Sequence, residues 1–361
     1  MTKPRVGIVI GTRPEVIKLA PVIDRLRSVD WCETVLMPSG QHSELLRQSL
    51  DEYGYGAAEI PPAPPPTEDY REQVQNLAAV LGDMMRAAEP SIVLVQGDTA
   101  TALAGTHAAS ALGIPVAHVE AGLRTYDLAH PFPEEGIRQE IGRLATLHFA
   151  PTPLAQENLI REGVSPASVV VTGNTVVDSL LRMMATSPPP DAEKFLLVTL
   201  HRRELGASVS SVLGGINSSL ARHADLKAVV LKHPNRVLSA DLAAEIERNP
   251  NIRLIGPQSH RSLIELLRQA AVVVTDSGGL QEEAATLGVP LVIARKTTER
   301  PEVLSTGRTA LAGFEAEMIG QSIDWALSLP ASPGFSDVLG DGNAAHRIEA
   351  KLADFLRQAG C

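Results

Sequence analysis

Short runs of apolar residues alternate along the chain with longer stretches in which apolar positions recur at helical spacing. Strands separated in this way by helices are typical of βαβ units, in which a mostly parallel sheet is covered on both faces. In the first half the strand-like runs are Val6–Ile10, Thr34–Met37, Ile92–Val95, Val116–Val119 and His148–Ala150. Helix-like stretches lie near residues 14–28, 42–53, 70–88, 99–112 and 135–145.

The same alternation restarts after Ser187–Pro190, a proline-rich segment that we interpret as a linker. The pattern predicts an α/β fold with two Rossmann-like, doubly wound parallel-sheet domains, over residues 1–170 and 190–340. The last helix-like stretch could pack on either domain, and we assign residues 341–361 to a helix that packs back on the N-terminal one. The second set of strand-like runs is Phe195–Leu200, Ala228–Leu231, Ile252–Ile255, Val272–Thr275 and Leu291–Ile293.

Amino-acid composition limits which binding partners and which cellular compartment are expected for this protein. Hydrophobic residues make up 44% of the 361 residues but aromatic residues only 3%, so the core must consist mainly of aliphatic side chains. The net charge of −10 argues against a nucleic-acid partner, which requires a basic face. Cys32 and Cys361 are predicted to be free thiols of a reducing compartment, which indicates a cytoplasmic protein. No apolar run reaches the roughly 18 residues of a membrane span.

Two glycine-marked turns join a strand to a helix, one in each half of the chain. The first contains Gly11 and is followed by Arg13 and Lys18; the second is Ser277-Gly278-Gly279. Amide N–H groups and the helix dipole make such a turn a site for an anion. We therefore expect a phosphorylated ligand, held in a central cleft between the two domains. Neither the P-loop nor the dinucleotide glycine pattern is present.

Carboxylates stand at the carboxyl ends of two strands, where open α/β sheets place their ligands. Asp98 follows one strand and Glu120 the next, and paired carboxylates there suit general acid–base chemistry. Asp98 could instead cap a helix. We interpret His118 as a core histidine, because a metal site with Glu120 lacks a third ligand; no metal is predicted. Glu134 and Glu135 begin a helix, where glutamates ordinarily interact with the positive end of the helix dipole.

In the second half, ionisable residues again follow strands. His201 and His233 each come after a buried run, so we expect both at the edge of the cleft, although two loop histidines would fit the same pattern. Arg300 is expected to face either phosphate or a structural carboxylate.

With these residues in hand, the chain resembles the non-hydrolysing UDP-N-acetylglucosamine 2-epimerase family from about Arg5 to about Arg308. Any one of the shared motifs alone is weak, but all of them occur in order. The motifs are GTRPE, QGDT, HVEAGLRT, PFPEE, HFAPT, TGNTVVD, HRRE, HPN, SGGLQEEA and TTERPE.

The resemblance implies a GT-B type of fold, a UDP-sugar substrate, a homodimer, and no metal or other cofactor. It implies inversion at C2 of UDP-GlcNAc to give UDP-ManNAc, by elimination of UDP to 2-acetamidoglucal and readdition. The site residues that it implies are Asp98, Glu120, Glu134 and His201 for catalysis; Arg13 and Lys18 beside the diphosphate; Ser277, Gly278 and Gly279 on phosphate; and Glu283 on the ribose hydroxyls. From their positions after strands, we also expect His233 and Arg300 to bind the UDP-sugar.

The chain departs from the family pattern at Leu205 and Ile137, where polar residues are usual, so a 2-epimerase of a modified UDP-sugar stays open. A GT-B glycosyltransferase would share the fold but would leave the three carboxylates without a joint role. A non-catalytic nucleotide-sugar sensor is disfavoured by the complete catalytic set. Gln41 and His42 match a second, activating substrate site, whereas Glu44 and Val74 do not, so we predict weak or absent substrate activation.

Overall fold

The computed structural model describes residues 3–65, 67, 69–184, 195–200, 208–232, 246, 249–330 and 334–360. The chain forms two compact units, one made of Met1–Leu181 with Gly340–Cys361 and the other of Arg182–Leu339. Within the described ranges no helix combines the length and the apolarity that crossing a membrane requires.

The first unit contains a six-stranded parallel sheet with the strand order β2-β1-β3-β4-β5-β6. Its central strands are buried along nearly their whole length, because helices cover both faces of a parallel sheet. The strands are β1 (Arg5–Ile10), β2 (Glu33–Pro38), β3 (Ile92–Gln96), β4 (Val116–Val119), β5 (Leu147–Ala150) and β6 (Val169–Val171). The helices are α1 (Arg13–Arg27), α2 (Ser43–Glu52), α3 (Tyr70–Ala88), α4 (Ala100–Ala111), α5 (Glu134–Leu144), α6 (Pro153–Arg161) and α7 (Thr175–Met184), with a 3₁₀ turn at Pro166–Ser168.

The second unit contains another six-stranded parallel sheet, with the order β12-β11-β10-β7-β8-β9. A core cluster of aliphatic side chains lies on one face of this sheet and includes Leu196, Val198 and Val274. The strands are β7 (Phe195–Thr199), β8 (Lys227–Leu231), β9 (Ile252–Ile255), β10 (Ala270–Thr275), β11 (Leu291–Ile293) and β12 (Thr309–Leu311). The helices are α8 (Val209–Arg222), α9 (His260–Gln269), α10 (Gly278–Thr286) and α11 (Ala316–Ser328), with a 3₁₀ segment at Pro301–Thr306.

The last helix, α12 (Ala344–Gln358), lies in the first unit and packs on α1. Glu349 accepts hydrogen bonds from Arg25 and Trp31, and Asp178 of α7 accepts from the backbone N–H groups of Ala344 and Ala345. Asp178 thus satisfies amides that the first turn of a helix cannot pair internally.

The α/β class with two parallel sheets is confirmed, but the sequence pattern did not indicate every element. The edge strands β6 and β12, of three residues each, were not predicted. Helices α6 and α7 were also not predicted, and the first unit runs on to Leu181 where the predicted domain ended at residue 170. The predicted linker at Ser187–Pro190 lies outside the described residues.

Candidate active site

The turn between β1 and α1 binds a carboxylate of its own helix. Glu15 Oε2 accepts hydrogen bonds from the backbone N–H groups of Gly11 and Thr12, both at 2.7 Å. A side chain at Gly11 would place its Cβ about 2 Å from the hydroxyls of Ser39 and Thr101, so only glycine fits there. The turn was predicted to bind phosphate through these amides, and this is corrected: Glu15 already occupies them.

Glu15 also connects this turn to the next one along the sheet. Its Oε1 accepts a hydrogen bond of 2.5 Å from the hydroxyl of Thr99, which begins α4 beyond β3. The side chain is fully buried, and burial raises the pKa of the carboxyl to about 7 in spite of these hydrogen bonds. Sequence reasoning missed this role, although an acidic residue three positions after Thr12 is the signal of a capping box.

Glu120 follows β4 and is enclosed by polar partners. Lys18 Nζ of α1 lies 2.6 Å from its Oε1, and the side-chain amide of Gln96 donates to Oε2. The side chains of Lys18 and Glu120 are only 7% and 5% exposed. A buried ion pair is seldom retained for stability, because desolvation offsets most of the attraction. The pair is therefore weak evidence for stability and a candidate functional position, and Gln96, which the sequence analysis did not single out, contacts it.

Asp98 forms the second carboxylate position, two residues beyond Gln96. Arg138 of α5 binds its Oδ2 through Nη2 at 2.6 Å and through Nε at 2.8 Å. The interpretation of Asp98 as a helix cap is wrong, since the hydroxyl of Thr99 accepts from the N–H of Ala102 and caps α4. Arg138 ties α5, which begins with the half-buried Glu134, to the strand end that carries Asp98.

Glu135, by contrast, has a structural environment. It is fully buried and accepts hydrogen bonds from the backbone N–H groups of Thr125 and Tyr126 and from Arg138. Its carboxylate therefore fixes the segment before α5.

His118 lies inside β4, and its interpretation as a core histidine is confirmed. Its Nε2 donates to the carbonyl oxygen of Gly97 at 2.8 Å, and His148 is its register partner on β5. Burial lowers the pKa of His118 to about 3 and that of His148 to about 4, so both rings are neutral at physiological pH. In the part of the chain that the structure describes, no group of three or more His, Cys, Asp and Glu residues could hold a metal ion.

In the second unit, the turn between β10 and α10 is built around an arginine. A Cβ at Gly278 would lie 2.5 Å from Nη1 of Arg300, so the guanidinium occupies the space beside the turn. Arg300 forms ion pairs with Glu282 and Glu299, and Glu299 also binds Arg295 at 2.7 Å. Arg300 was expected to face either phosphate or a structural carboxylate, and this structure shows it bound to carboxylates.

The backbone amides at the start of α10 have different hydrogen-bond partners from those at the start of α1. The N–H of Ser277 donates to the hydroxyl of Thr275 at 3.0 Å. No described side chain accepts from the N–H groups of Gly278 and Gly279, and a side chain at Gly279 would meet open space. Groups at this position of a helix have no partner within the helix, so an anion can bind them.

Glu283 lies one turn further along α10 and is buried. The ring Nε2 of His260 lies 2.8 Å from its Oε1, while its Oε2 has no hydrogen-bond partner among the described residues. His260 was not indicated by the sequence analysis. His201, His233 and Leu205 lie outside the described residues.

Two departures from the family pattern fall in the core. Ile137 is buried with the aliphatic cluster that joins α3, α4 and α5 to the sheet, and Val74 of α3 lies in the same cluster. Both side chains are buried. Gln41, half of the predicted activating pair, accepts hydrogen bonds through Oε1 from the N–H and hydroxyl of Thr101.

Two parallel α/β sheets, each with a glycine turn leading from a strand into a helix, place the chain in the GT-B-like class. A chain described as the glycotransferase of kitacinnamycin shares this fold with a TM-score of 0.61 at 15% identity, over 98% of this chain and all of that one. The family profile described as UDP-N-acetylglucosamine 2-epimerase matches residues 24–353, and the chain belongs to that family.

Individual relatives agree over nearly the full length. The UDP-N-acetylglucosamine 2-epimerase of Escherichia coli (strain K12) is 35% identical over 368 residues, which cover 95% of this chain and 97% of the relative. The crystal structure of UDP-GlcNAc 2-epimerase from Neisseria meningitidis bound to UDP-GlcNAc is similar with a TM-score of 0.87 at 32% identity, covering 97% of this chain and all of that one. The resemblance predicted from the motifs is thus confirmed.

Proposed function

We propose that the chain is an isomerase that interconverts UDP-GlcNAc and UDP-ManNAc. The observation that carries the proposal is the set of paired charges at the carboxyl edge of the first sheet: the buried Glu120 with Lys18 and Gln96, and the partly buried Asp98 with Arg138. Family membership defines the substrate class to test. A protein that only bound a nucleotide sugar would have no use for carboxylates held in this way.

The reaction that fits these groups is elimination followed by readdition. The hydrogen at C2 of the sugar is not acidic, so direct exchange of that proton is implausible. Loss of the C2 proton together with cleavage of the bond from C1 to the UDP oxygen gives 2-acetamidoglucal and UDP. Readdition of UDP at C1, with protonation of C2 on the opposite face, gives the epimer. The sequence needs one base, one acid for the other face and stabilisation of the departing UDP.

We assign the proton transfers to Asp98, Glu120 and Glu134. Lys18 and Arg138 lie against Glu120 and Asp98 and offset the charges of these two carboxylates. Gln96 fixes the orientation of Glu120. His201 is proposed as a further catalytic residue on the strength of the motif HRRE alone.

The second unit is proposed to bind UDP. The N–H groups of Gly278 and Gly279, with Ser277, would receive a phosphate, and Glu283 would bind the ribose hydroxyls. We assign Arg13 and Lys18 to the diphosphate as the resemblance implies. We assign His233 to the substrate because it follows a strand-like run in the sequence, and Arg300 to a supporting role through its contact with Gly278. Millimolar UDP should raise the melting temperature in a concentration-dependent way, since it binds only the folded state.

The decisive experiment is incubation with UDP-GlcNAc in D₂O, followed by NMR of the sugar. We expect deuterium at C2 of both epimers and the appearance of UDP-ManNAc signals. Deuterium-free substrate after prolonged incubation would contradict the mechanism. Transfer of the sugar to an added acceptor, without any change at C2, would favour a glycosyltransferase.

We also propose that the enzyme is a cytoplasmic homodimer that acts without a metal or other cofactor. The family resemblance supports the dimer, and the presence of only two cysteines, far apart in the sequence, supports a reducing compartment. Sedimentation at working concentrations should give twice the mass of one chain. EDTA should leave the rate unchanged, and a rate that falls with EDTA and returns with a divalent ion would contradict the proposal.

A further inference from the structure

The carboxylate of Glu283 is held on one side only. Its side chain is 6% exposed, Oε1 lies 2.8 Å from Nε2 of His260, and Oε2 is buried without a hydrogen-bond partner in the described part of the chain. A buried acceptor without a donor costs free energy, so such an atom is retained where a ligand supplies the donor.

His260 is itself held firmly. It is the first residue of α9, its side chain is 1% exposed, and Ser259 caps the helix by accepting from the N–H of Ser262 at 3.1 Å. A carboxylate can only accept, so the Nε2–H of His260 donates to Oε1. The hydrogen bond stops rotation of the carboxylate and determines which oxygen is left for a ligand.

The neighbouring acidic residue has a different partner. Glu282 binds Arg300, which packs against the turn at Gly278, so its carboxylate serves the turn itself. Two adjacent glutamates thus have separate partners, one a guanidinium and the other an imidazole.

We propose that His260 is a positioning residue that fixes Glu283 so that Oε2 receives the hydroxyls of a ribose. The inference rests on the proposed function, because it takes Glu283 as the ribose-binding residue. A vicinal diol has two O–H donors within reach of one carboxylate, and hydrogen bonds from hydroxyls to a charged oxygen are short and strong. Holding the carboxylate in place before binding reduces the entropy that the complex must lose. His260 should therefore control the preference for ribonucleotides.

The test compares the affinities of UDP and 2′,3′-dideoxy-UDP for the full chain by calorimetry. The wild type should prefer UDP by roughly ten- to a hundredfold, the effect of a hydrogen bond to a charged group. Glu283→Ala and His260→Phe should both reduce this ratio to near one. His260→Gln, which retains an N–H donor, should keep part of it. Thr286→Val is the matched control, since it removes a buried hydroxyl without a described partner from the same helix and should keep the full ratio.

The outcomes separate the two ideas. UDP binding without any preference in the wild type would reject ribose recognition by Glu283, and the role of His260 with it. A preference that Glu283→Ala removes but His260→Phe keeps would overturn the inference about His260 alone. Equal loss of affinity for both nucleotides, with the ratio kept, would show a merely structural role and would also overturn it. If His260→Phe does not fold, His260→Asn, whose amide is too short to reach Glu283, should lose the ratio in its place.

Discussion

The two strand-to-helix turns share a sequence pattern but differ in what fills them. At the start of α1, Glu15 accepts from both amides of the turn. At the start of α10, the amides of Gly278 and Gly279 have no described side chain on them, and the nearby glutamates bind Arg300 and His260 instead. In both turns a close neighbour requires glycine, hydroxyls in one case and a guanidinium in the other.

The difference can be traced to one position in each helix. Counted from the capping residue, Glu15 stands three residues after Thr12, and Leu280 stands three residues after Ser277. A glutamate at this position reaches back to the amide of the cap, whereas a leucine cannot accept a hydrogen bond, and the amide of Ser277 donates to the hydroxyl of Thr275 instead. A strand followed by glycine and a helix therefore predicts a helix N-terminus, and the third residue decides whether a ligand can use it.

Leu280→Glu should break the comparison most severely. The new carboxylate should occupy the amides at the start of α10 and repel the diphosphate, and like charges in contact cost several kcal/mol. We expect UDP affinity to fall by roughly a hundredfold or more, as measured by calorimetry. Leu280→Gln, which has the same length without the charge, is the control and should bind markedly better. Equal affinities for the two variants would show that this turn does not bind the diphosphate.

The carboxylates of the first unit should affect the chemistry instead of the binding of UDP. Asp98→Asn, Glu120→Gln and Glu134→Gln should each lower kcat by at least about a hundredfold while the melting temperature and UDP affinity persist. At least one of them should release free UDP and 2-acetamidoglucal, because elimination would outrun readdition. Glu140→Gln changes an exposed carboxylate on the same helix as Glu134 and should leave kcat intact. Near-normal turnover in all three variants would refute the mechanism.

The two glycines of the second turn provide a matched pair. Gly278→Ala would place its Cβ 2.5 Å from Arg300 and must displace the guanidinium, whereas Gly279→Ala meets open space. We expect Gly278→Ala to lose about tenfold in UDP affinity and about 1–3 kcal/mol of stability, the range for overpacking. Gly279→Ala should be close to the wild type in both measurements unless the phosphate itself needs that space. Equal behaviour of the pair would show that Arg300 does not shape the turn.

The sequence predicted the fold class and most strands, because parallel strands buried on both faces are long apolar runs. It also indicated Asp98 and Glu120, since each follows such a run. It did not indicate Gln96, Arg138 or His260, because what makes these residues important is a contact with a distant part of the chain: Gln96 with Glu120, Arg138 with Asp98, His260 with Glu283. Glu15 is a different case, because the capping-box spacing from Thr12 to Glu15 was visible in the sequence. Only the structure shows that Glu15 accepts from both amides of the turn.

The smallest expected effect, counted per pH unit, is the pH dependence of the unfolding free energy that Glu15 in the first turn contributes. Burial raises the pKa of Glu15 to about 7 in the folded chain, from an ordinary value of 4.5. The folded state therefore binds more protons between these values, so this group contributes stability below pH 4.5 that is lost as the pH rises through about 7. The slope should be about 1 kcal/mol per pH unit, with a total of about 3 kcal/mol.

The comparison of the wild type with Glu15→Gln isolates this contribution. The neutral variant should show no such loss, so the difference in unfolding free energy between the two proteins should change by about 3 kcal/mol between pH 4 and pH 8. His118 and His148 act in the opposite sense, because their lowered pKa values make the folded state lose stability as the pH falls below 6.5. Their contribution is common to both proteins and cancels in the difference. The unfolding free energies of wild type and variant are measured by denaturant unfolding across this pH range. Parallel pH profiles would show that Glu15 ionises in the folded chain as it does in water, and that burial in the first turn does not raise its pKa.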